Sequence, residues 1–190
     1  MLSKKSRVHI DDNNAEKKLY SNIYKNIKYE YKPYMELIIL CIGTDRSTGD
    51  SLGPFIGTIL KKEYQITENI FGTINNPVHA KNLDKTINNI EKEFYSPYII
   101  AVDAGLGKQS SVGCIDVKKG PLKPGTGVDK ELTRVGDIHI TGLVNVSGYM
   151  EYLVLQSTRL KLIINMAEVI AGSLQNTIIT VHNKRTVLDK

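Results

Sequence analysis

Residues 37–54 read LIILCIGTDRSTGDSLGP, and they contain three features that follow one another directly. The apolar run 37–42 is typical of a parallel strand that is covered on both faces of a sheet. An acidic, glycine-rich loop begins at Gly43. Gly53-Pro54 then predicts a helix over about 53–63, because proline suits the first turn of a helix. A strand, a loop and a helix in this order indicate an α/β domain.

Similar patterns recur on either side of this stretch. The pattern predicts further strands at 70–74, 98–102, 112–117 and 138–144, and helices at 15–28, 82–94 and 150–174 with a break near Ser157. The β-branched segment 177–181 stays open. Strand 112–117 follows a short turn, so we expect it to pair antiparallel. The alternation predicts a three-layer α/β/α fold around a mostly parallel, mixed sheet of five strands.

The length and charge of the chain define its expected organisation. With 190 residues we expect a single α/β domain at 36–190, preceded by an N-terminal arm at 1–35 that carries one amphipathic helix. The arm holds eight Lys or Arg and four Asp or Glu, which is +4 of the net charge of +5. A nucleic-acid-binding domain usually has its basic face on the folded part. We therefore expect no nucleic-acid partner.

The apolar segments and the cysteines bear on the cellular compartment. No apolar run is long enough to cross a bilayer, and the N-terminus lacks the apolar core of a signal peptide. Cys41 and Cys114 each lie in an apolar run, far apart, which indicates two buried reduced thiols. These features predict a cytoplasmic protein without a membrane partner.

Acidic residues follow two of the predicted strands. Asp45 and Asp50 lie in the loop after the first strand, and Asp103 ends the strand 98–102. Ligands of open α/β sheets bind outside the carboxyl ends of the strands. If these strands are neighbours, Asp50 and Asp103 face each other, and one carboxyl can act as acid while the other acts as base. Spacing alone leaves a second interpretation open, in which Asp50 caps a helix and Asp103 forms a turn.

Other kinds of site fit the sequence less well. A phosphate-binding P-loop has four residues between its glycines, whereas five separate Gly43 from Gly49, and Asp50 follows. His139 lies inside a predicted strand, either as a buried hydrogen-bonded histidine or as a metal ligand. His79 lies in a loop that could approach either acidic loop. No HExxH motif is present, which argues against a preformed zinc site.

The segment 42–54, IGTDRSTGDSLGP, closely resembles the YyaC family of bacterial sporulation proteins, the spore protease YyaC family, over about residues 36–175. That family is similar to the spore germination protease, an unusual aspartic-type endopeptidase, and to the hydrogenase maturation proteases. The resemblance implies a phosphorylase/hydrolase-like fold of the kind that the hydrogenase maturation proteases have.

Three segments carry the resemblance to the germination protease. Residues 49–54 resemble its Pro-Asp-Ala-Leu-Gly-Pro segment, residues 100–104 its Ile-Ala-Ile-Asp-Ala segment, and residues 124–128 its Pro-Gly-Ser/Ala-Gly-Val loop. The resemblance implies that Asp50 and Asp103 are catalytic. The other candidate site residues, which would shape the site or bind substrate, are Gly43, Thr44, Asp45, Arg46, Gly49, Gly105, Gly125, Thr126, His139 and Asn145. Arg46 would bind a substrate carboxylate or hold Asp45.

One departure concerns metal binding. The maturation proteases hold a metal with Glu, Asp and His, and the position of that histidine falls near 145–147, where no histidine stands. We therefore expect no cofactor, with a divalent metal at Asp50 and Asp103 as an alternative.

The leading prediction is a sporulation-associated, aspartic-type endopeptidase. It would work in the cytoplasm of the mother cell or forespore on a protein or peptide substrate, with small acid-soluble spore proteins as candidates. The alternatives are a non-catalytic sporulation binding protein on the same fold and a metal-assisted, maturation-type endopeptidase. A homo-oligomer is compatible with each of these.

Overall fold

The computed structural model describes residues 6–66, 69–124 and 133–188. A 3-10 turn, Gly49–Ser51, precedes the second helix, and another, Gln109–Ser111, follows the fourth strand. The strands and α-helices are, in chain order, β1 (Arg7–His9), α1 (Ala15–Ile27), β2 (Glu36–Cys41), α2 (Leu52–Lys62), β3 (Ile70–Phe71), α3 (Leu83–Glu93), β4 (Pro97–Gly107), β5 (Cys114–Lys119), β6 (Ile138–Val146), α4 (Glu151–Gln156) and α5 (Leu160–Leu188).

The strands form one mixed sheet in the order β1-β5-β6-β4-β2-β3. β3, β2, β4 and β6 are parallel, whereas β5 pairs antiparallel with β6 and β1 pairs antiparallel with β5. The predicted α/β class with a mixed sheet is confirmed, and so is the antiparallel strand after the short turn. The sheet has six strands rather than five, because β1 adds an edge strand. The predicted strand 70–74 is limited to Ile70–Phe71.

Helices cover both faces of the sheet. Ile100 and Val102 of β4 pack on one face with residues of α1, α2 and α5, whereas Ile99 and Ala101 pack on the other face with α3. Because neighbouring residues of a strand point to opposite faces, burial on both faces requires the continuous apolar runs seen in β2 and β4.

The described part of the expected arm belongs to the domain. Val8 of β1 and Leu19 and Ile23 of α1 are buried in the main core. Arg7 donates from Nε and Nη2 to the two carboxylate oxygens of Asp116, each at 2.6 Å. Residues 6–35 are therefore integrated into the sheet and its helical layer, because the apolar stripe of α1 covers one face of the core.

Helix α5 decides a segment that the sequence left open and corrects one expectation. It continues through the β-branched segment 177–181, and its part Leu160–Lys184 is by length and composition long and apolar enough to cross a membrane. Half of the apolar window is buried inside the domain, including Ile163, Met166 and Ile170. Because the core helix of a globular domain has the same composition, we interpret α5 as a core helix.

Both cysteines are free and buried, as expected. Burial raises the pKa of the Cys41 thiol to about 12, so this thiol stays protonated at neutral pH.

Candidate active site

β4 continues beyond the end of its neighbour β2, so Asp103 lies level with the start of the loop that follows β2. β2 and β4 are parallel neighbours with Cys41 opposite Val102, and the Ile42 N–H donates to the Val102 oxygen at 2.7 Å. The condition set by the sequence, that these two strands are neighbours, is met. The acidic loop after β2 and Asp103 of β4 consequently lie at the same edge of the sheet.

Gly43 folds the acidic loop back against the end of β2. Its φ is +144°, and a Cβ built on it would lie 2.0 Å from the Asp50 carbonyl oxygen. That oxygen accepts a hydrogen bond from the Thr44 N–H at 3.0 Å, and the Gly43 N–H donates to the Val78 oxygen at 2.8 Å. Only glycine leaves room for this close approach, which fixes the main chain of Asp50 beside the strand end.

Asp50 lies in the 3-10 turn before α2 and is half-buried. Burial raises the pKa of its carboxyl, and the nearby His79 acts in the opposite direction. The residue at the N-cap position of α2 is Ser51, and no side chain makes a capping hydrogen bond there. The structure therefore does not support the interpretation of Asp50 as a helix cap.

Asp103 is buried, with 6% of its surface exposed. Its Oδ1 accepts a hydrogen bond from the Ala104 N–H at 2.9 Å. β4 continues to Gly107, so the predicted end of the strand at 102 and a turn at Asp103 are wrong, because the pairing with β6 carries the strand further. Thr141 of β6 lies opposite Asp103, and Leu143 lies opposite Gly105. Asp103 is thus held inside the sheet near its carboxyl edge, between the strands β2 and β6.

His79 is the site residue that the sequence placed least firmly, and the structure brings it near Asp50. Its Nδ1 accepts a hydrogen bond from the Lys81 N–H at 3.3 Å, so the neutral ring carries its proton on Nε2. Asn82 holds the loop through a hydrogen bond from the His79 N–H at 2.8 Å. The only signal in the sequence was its position in a loop after a short strand.

The rest of the acidic loop faces either solvent or α4. Asp45 and Arg46 are exposed, and the ion pairs among the described residues do not include a bridge between them. Arg46 therefore does not hold Asp45.

Gly49 lies against α4. A Cβ on Gly49 would lie 2.8 Å from both Leu155 Cδ2 and Thr158 Oγ1, so Gly49 lets the loop pack tightly on α4 and the turn after it.

The remaining predicted site residues lie apart from the two acids. His139 pairs with Ala101, two residues before the level of Asp103, and its Nδ1–H donates to the Gly120 oxygen at 2.8 Å. Asn145 donates to the Val154 oxygen at 3.0 Å, which fastens α4 to β6. Gly125 and Thr126 lie outside the described residues.

The described residues do not include a three-ligand metal site. Within residues 6–66, 69–124 and 133–188, no three His, Cys, Asp or Glu side chains are grouped so that they could hold a metal ion. Asp50 and Asp103 would supply two ligands, and Asn145 at the third position is engaged with α4. These described residues therefore do not match the Glu, Asp and His set that the resemblance gives the maturation proteases.

Comparison with known proteins shows the family of the chain. A relative from Bacillus subtilis (strain 168), described as "Uncharacterized protein YyaC", is 55% identical over 141 residues, which are 74% of this chain and 69% of that protein. Among solved structures, the crystal structure of a [NiFe] hydrogenase maturation protease, HycI from Thermococcus kodakarensis KOD1, matches with a TM-score of 0.49. The two sequences are 17% identical, and the match covers 75% of this chain and 91% of the HycI chain.

The family described as "Protein of unknown function (DUF1256)" matches residues 7–173. This match begins in β1. The resemblance in sequence was expected to begin only at about residue 36. It agrees with the integration of β1 and α1 into the domain. From the extent of this match and the identity to the Bacillus subtilis relative, we conclude that the chain belongs to the DUF1256 family, and its resemblance to YyaC is confirmed.

Proposed function

We propose that this protein is a peptidase that hydrolyses a peptide bond of a protein substrate with Asp50 and Asp103 as its acid and base. The observation that carries the proposal is the position of the two acids. Asp50 lies in the turn that ends the loop after β2, and Asp103 lies in the parallel neighbour β4, one residue past the level at which β2 ends. The segments that hold them resemble the two catalytic segments of the germination protease. Both acids are partly or fully withdrawn from water.

The surroundings of the two carboxyls suggest their roles. Burial raises the pKa of Asp50 and so favours its protonated form, the form that acts as an acid. Asp103 accepts an N–H hydrogen bond at Oδ1, as a carboxylate does, and acts as the base. Asp103 would take a proton from water as the water oxygen attacks the peptide carbon. Asp50 would give its proton to the peptide nitrogen as the C–N bond breaks.

The biological setting rests on the resemblance in sequence. The YyaC-like loop supports a role in sporulation, in the cytoplasm of the mother cell or forespore. Small acid-soluble spore proteins are then reasonable substrates to test, because the germination protease resemblance points to this class of protein.

The experiment compares the wild-type chain with Asp50→Asn, Asp103→Asn and Asp84→Asn, each incubated with small acid-soluble spore proteins and with a peptide library. Asp84→Asn is the matched control, because Asp84 is exposed in the first turn of α3 and belongs to neither the site nor its loops. We expect the two site variants to lose about 100- to 10,000-fold in rate, as general acid or base loss does, and the control to keep its rate. Equal rates in all four proteins would refute the proposal.

A non-catalytic sporulation binding protein is the second candidate. The observation that favours it is the hydrogen bond of Asp103 to the Ala104 N–H, which gives this carboxyl a structural role. In that case the wild-type chain would bind the spore proteins or library peptides and leave them intact. Mass spectrometry of the recovered peptides distinguishes the two functions.

A further inference from the structure

A cleft of about 830 Å³ lies between β3, the loop that follows it and α3. Its volume is within the range of about 300–1,000 Å³ that is usual for ligand sites. Phe71 and Phe94 line it and pack edge to face, with 6.2 Å between their ring centroids. The cleft thus combines an apolar aromatic pair with walls that are mostly amide and hydroxyl groups.

One wall of the cleft is connected to the candidate active site. Val78 and His79 line the cleft, and the Val78 oxygen accepts the N–H of Gly43 at 2.8 Å. The next residue, Thr44, donates its N–H to the oxygen of Asp50 at 3.0 Å. The wall of the cleft at Val78 and His79 is therefore in direct contact with the loop that holds Asp50.

The side chains of the cleft have a distinctive chemistry. The asparagines that line it are Asn69, Asn75, Asn76, Asn82 and Asn89. The Asn82 side chain bonds the His79 N–H and the Pro77 oxygen, so it holds the wall. The hydrogen bonds among the described residues involve none of the other four side-chain amides. A free amide offers both a donor and an acceptor, which is the complement of a peptide group.

The charge of the cleft is balanced. Its lining includes one Lys, Lys61, and one Glu, Glu93, so the positive charge of the first offsets the negative charge of the second. His79 is the other ionisable residue of the lining. A strongly acidic or basic ligand would gain little from such a surface. The lining therefore favours an uncharged segment.

We propose that this cleft binds an uncharged polar segment of polypeptide and leads it past His79 to Asp50. The four free amides would bond its peptide groups, and Phe71 and Phe94 would pack against an apolar side chain. The identity of this segment as a substrate rests on the proposed function, whereas its binding does not.

The test uses the full chain with Asp50→Asn, so that bound peptides are not cleaved. Three pools of fluorescein-labelled synthetic decapeptides are titrated by fluorescence anisotropy: one of Asn, Gln, Ser, Thr and Gly around a central Phe, and two in which four positions are replaced by Glu or by Lys. We expect the uncharged pool to bind more tightly than either charged pool.

Variants of α3 and the neighbouring loop then locate the binding. Asn75→Ala combined with Asn89→Ala should weaken binding of the uncharged pool about tenfold, as the loss of two hydrogen bonds does. Asn88→Ala is the matched control, since it is exposed on the same helix but does not line the cleft, and it should bind as the parent does. The exposed positions of Asn75 and Asn89 allow these variants to fold.

Several outcomes would overturn the inference: no pool binds at millimolar concentration, a charged pool binds as tightly as the uncharged one, or the double variant binds as well as Asn88→Ala. Failure of the proposed function looks different. Peptides would then bind in the cleft as expected, and the wild-type chain would leave them intact. Conversely, cleavage with the same KM in the cleft and control variants would overturn the cleft and retain the hydrolysis.

Discussion

Replacing Gly43 by alanine tests whether the acidic loop is held by the close approach seen in the structure. The added Cβ would lie 2.0 Å from the Asp50 oxygen and 3.0 Å from Pro54 Cδ, whereas ordinary contacts begin at 3.4 Å. The nearest atom is main chain, so it cannot rotate away as the end of a side chain would. The loop must therefore move and break the hydrogen bond from Thr44 to Asp50.

The size of the effect follows from two contributions. A non-glycine residue held at an unfavourable positive φ costs about 1–3 kcal/mol. Loss of the main-chain hydrogen bond adds about 0.5–1.5 kcal/mol. We expect Gly43→Ala to lower the free energy of unfolding by about 2–4 kcal/mol, which leaves most domains folded.

Gly120→Ala is the matched control. Gly120 also has a positive φ, +88°, but a Cβ there would meet nothing within 4 Å. This variant keeps the conformational cost, about 1–2 kcal/mol, and lacks the clash. The difference between the two variants therefore isolates the contact between Gly43 and Asp50.

Equilibrium unfolding in urea, followed by far-ultraviolet circular dichroism, measures both free energies. The slope with urea should be unchanged, because the variants keep the same core. Losses that agree within experimental error for Gly43→Ala and Gly120→Ala would refute the close packing of the loop. They would also show that the close approach of Gly43 does not hold the main chain of Asp50 at the end of β2.

Three further predictions follow from other contacts. Burial raises the pKa of Asp50 above 3.8, so ionisation of this carboxyl destabilises the folded chain as the pH rises. Asp50→Asn should therefore be more stable than the wild type at neutral pH and should lose that advantage below pH 3.8. Urea unfolding at several pH values measures the difference. Arg7→Ala should lower the free energy of unfolding by about 1–3 kcal/mol, since Asp116 then stays buried without its partner. Lys18→Ala removes a solvent-exposed ion pair and should leave the free energy of unfolding close to that of the wild type. Ile23→Ala should cost about 2–5 kcal/mol if α1 belongs to the core, and a stability equal to wild type would return α1 to a separate arm.

Much of the fold could be predicted because its signals are local. The apolar run 37–42 matches β2 (Glu36–Cys41) to within one residue at each end. The stripe of Leu19, Ile23 and Ile27 is the buried face of α1. The break near Ser157 separates α4 from α5. In each case the period of the buried residues is set by the geometry of the helix or strand itself.

The missed elements depend on distant partners. Residues 7–9 are too short and too polar to indicate a strand, and β1 forms because it pairs with β5 more than a hundred residues later. The segment 177–181 is rich in β-branched residues but continues α5, where Thr180 hydrogen-bonds Tyr20 of α1. Tertiary contacts override local propensity at both places.

The candidate site divides in the same way. Sequence alone pointed to Asp50 and Asp103, because acids after buried parallel strands mark the edge where ligands bind. Only the tertiary structure brought His79 near Asp50, joined the asparagine-lined cleft to the same loop and tied His139 to Gly120. The apolar body of a strand can be read from a local pattern. The end of β4 at Gly107 and the neighbours of a loop depend instead on how the strands are ordered in the sheet, and that order is set by contacts across the whole chain.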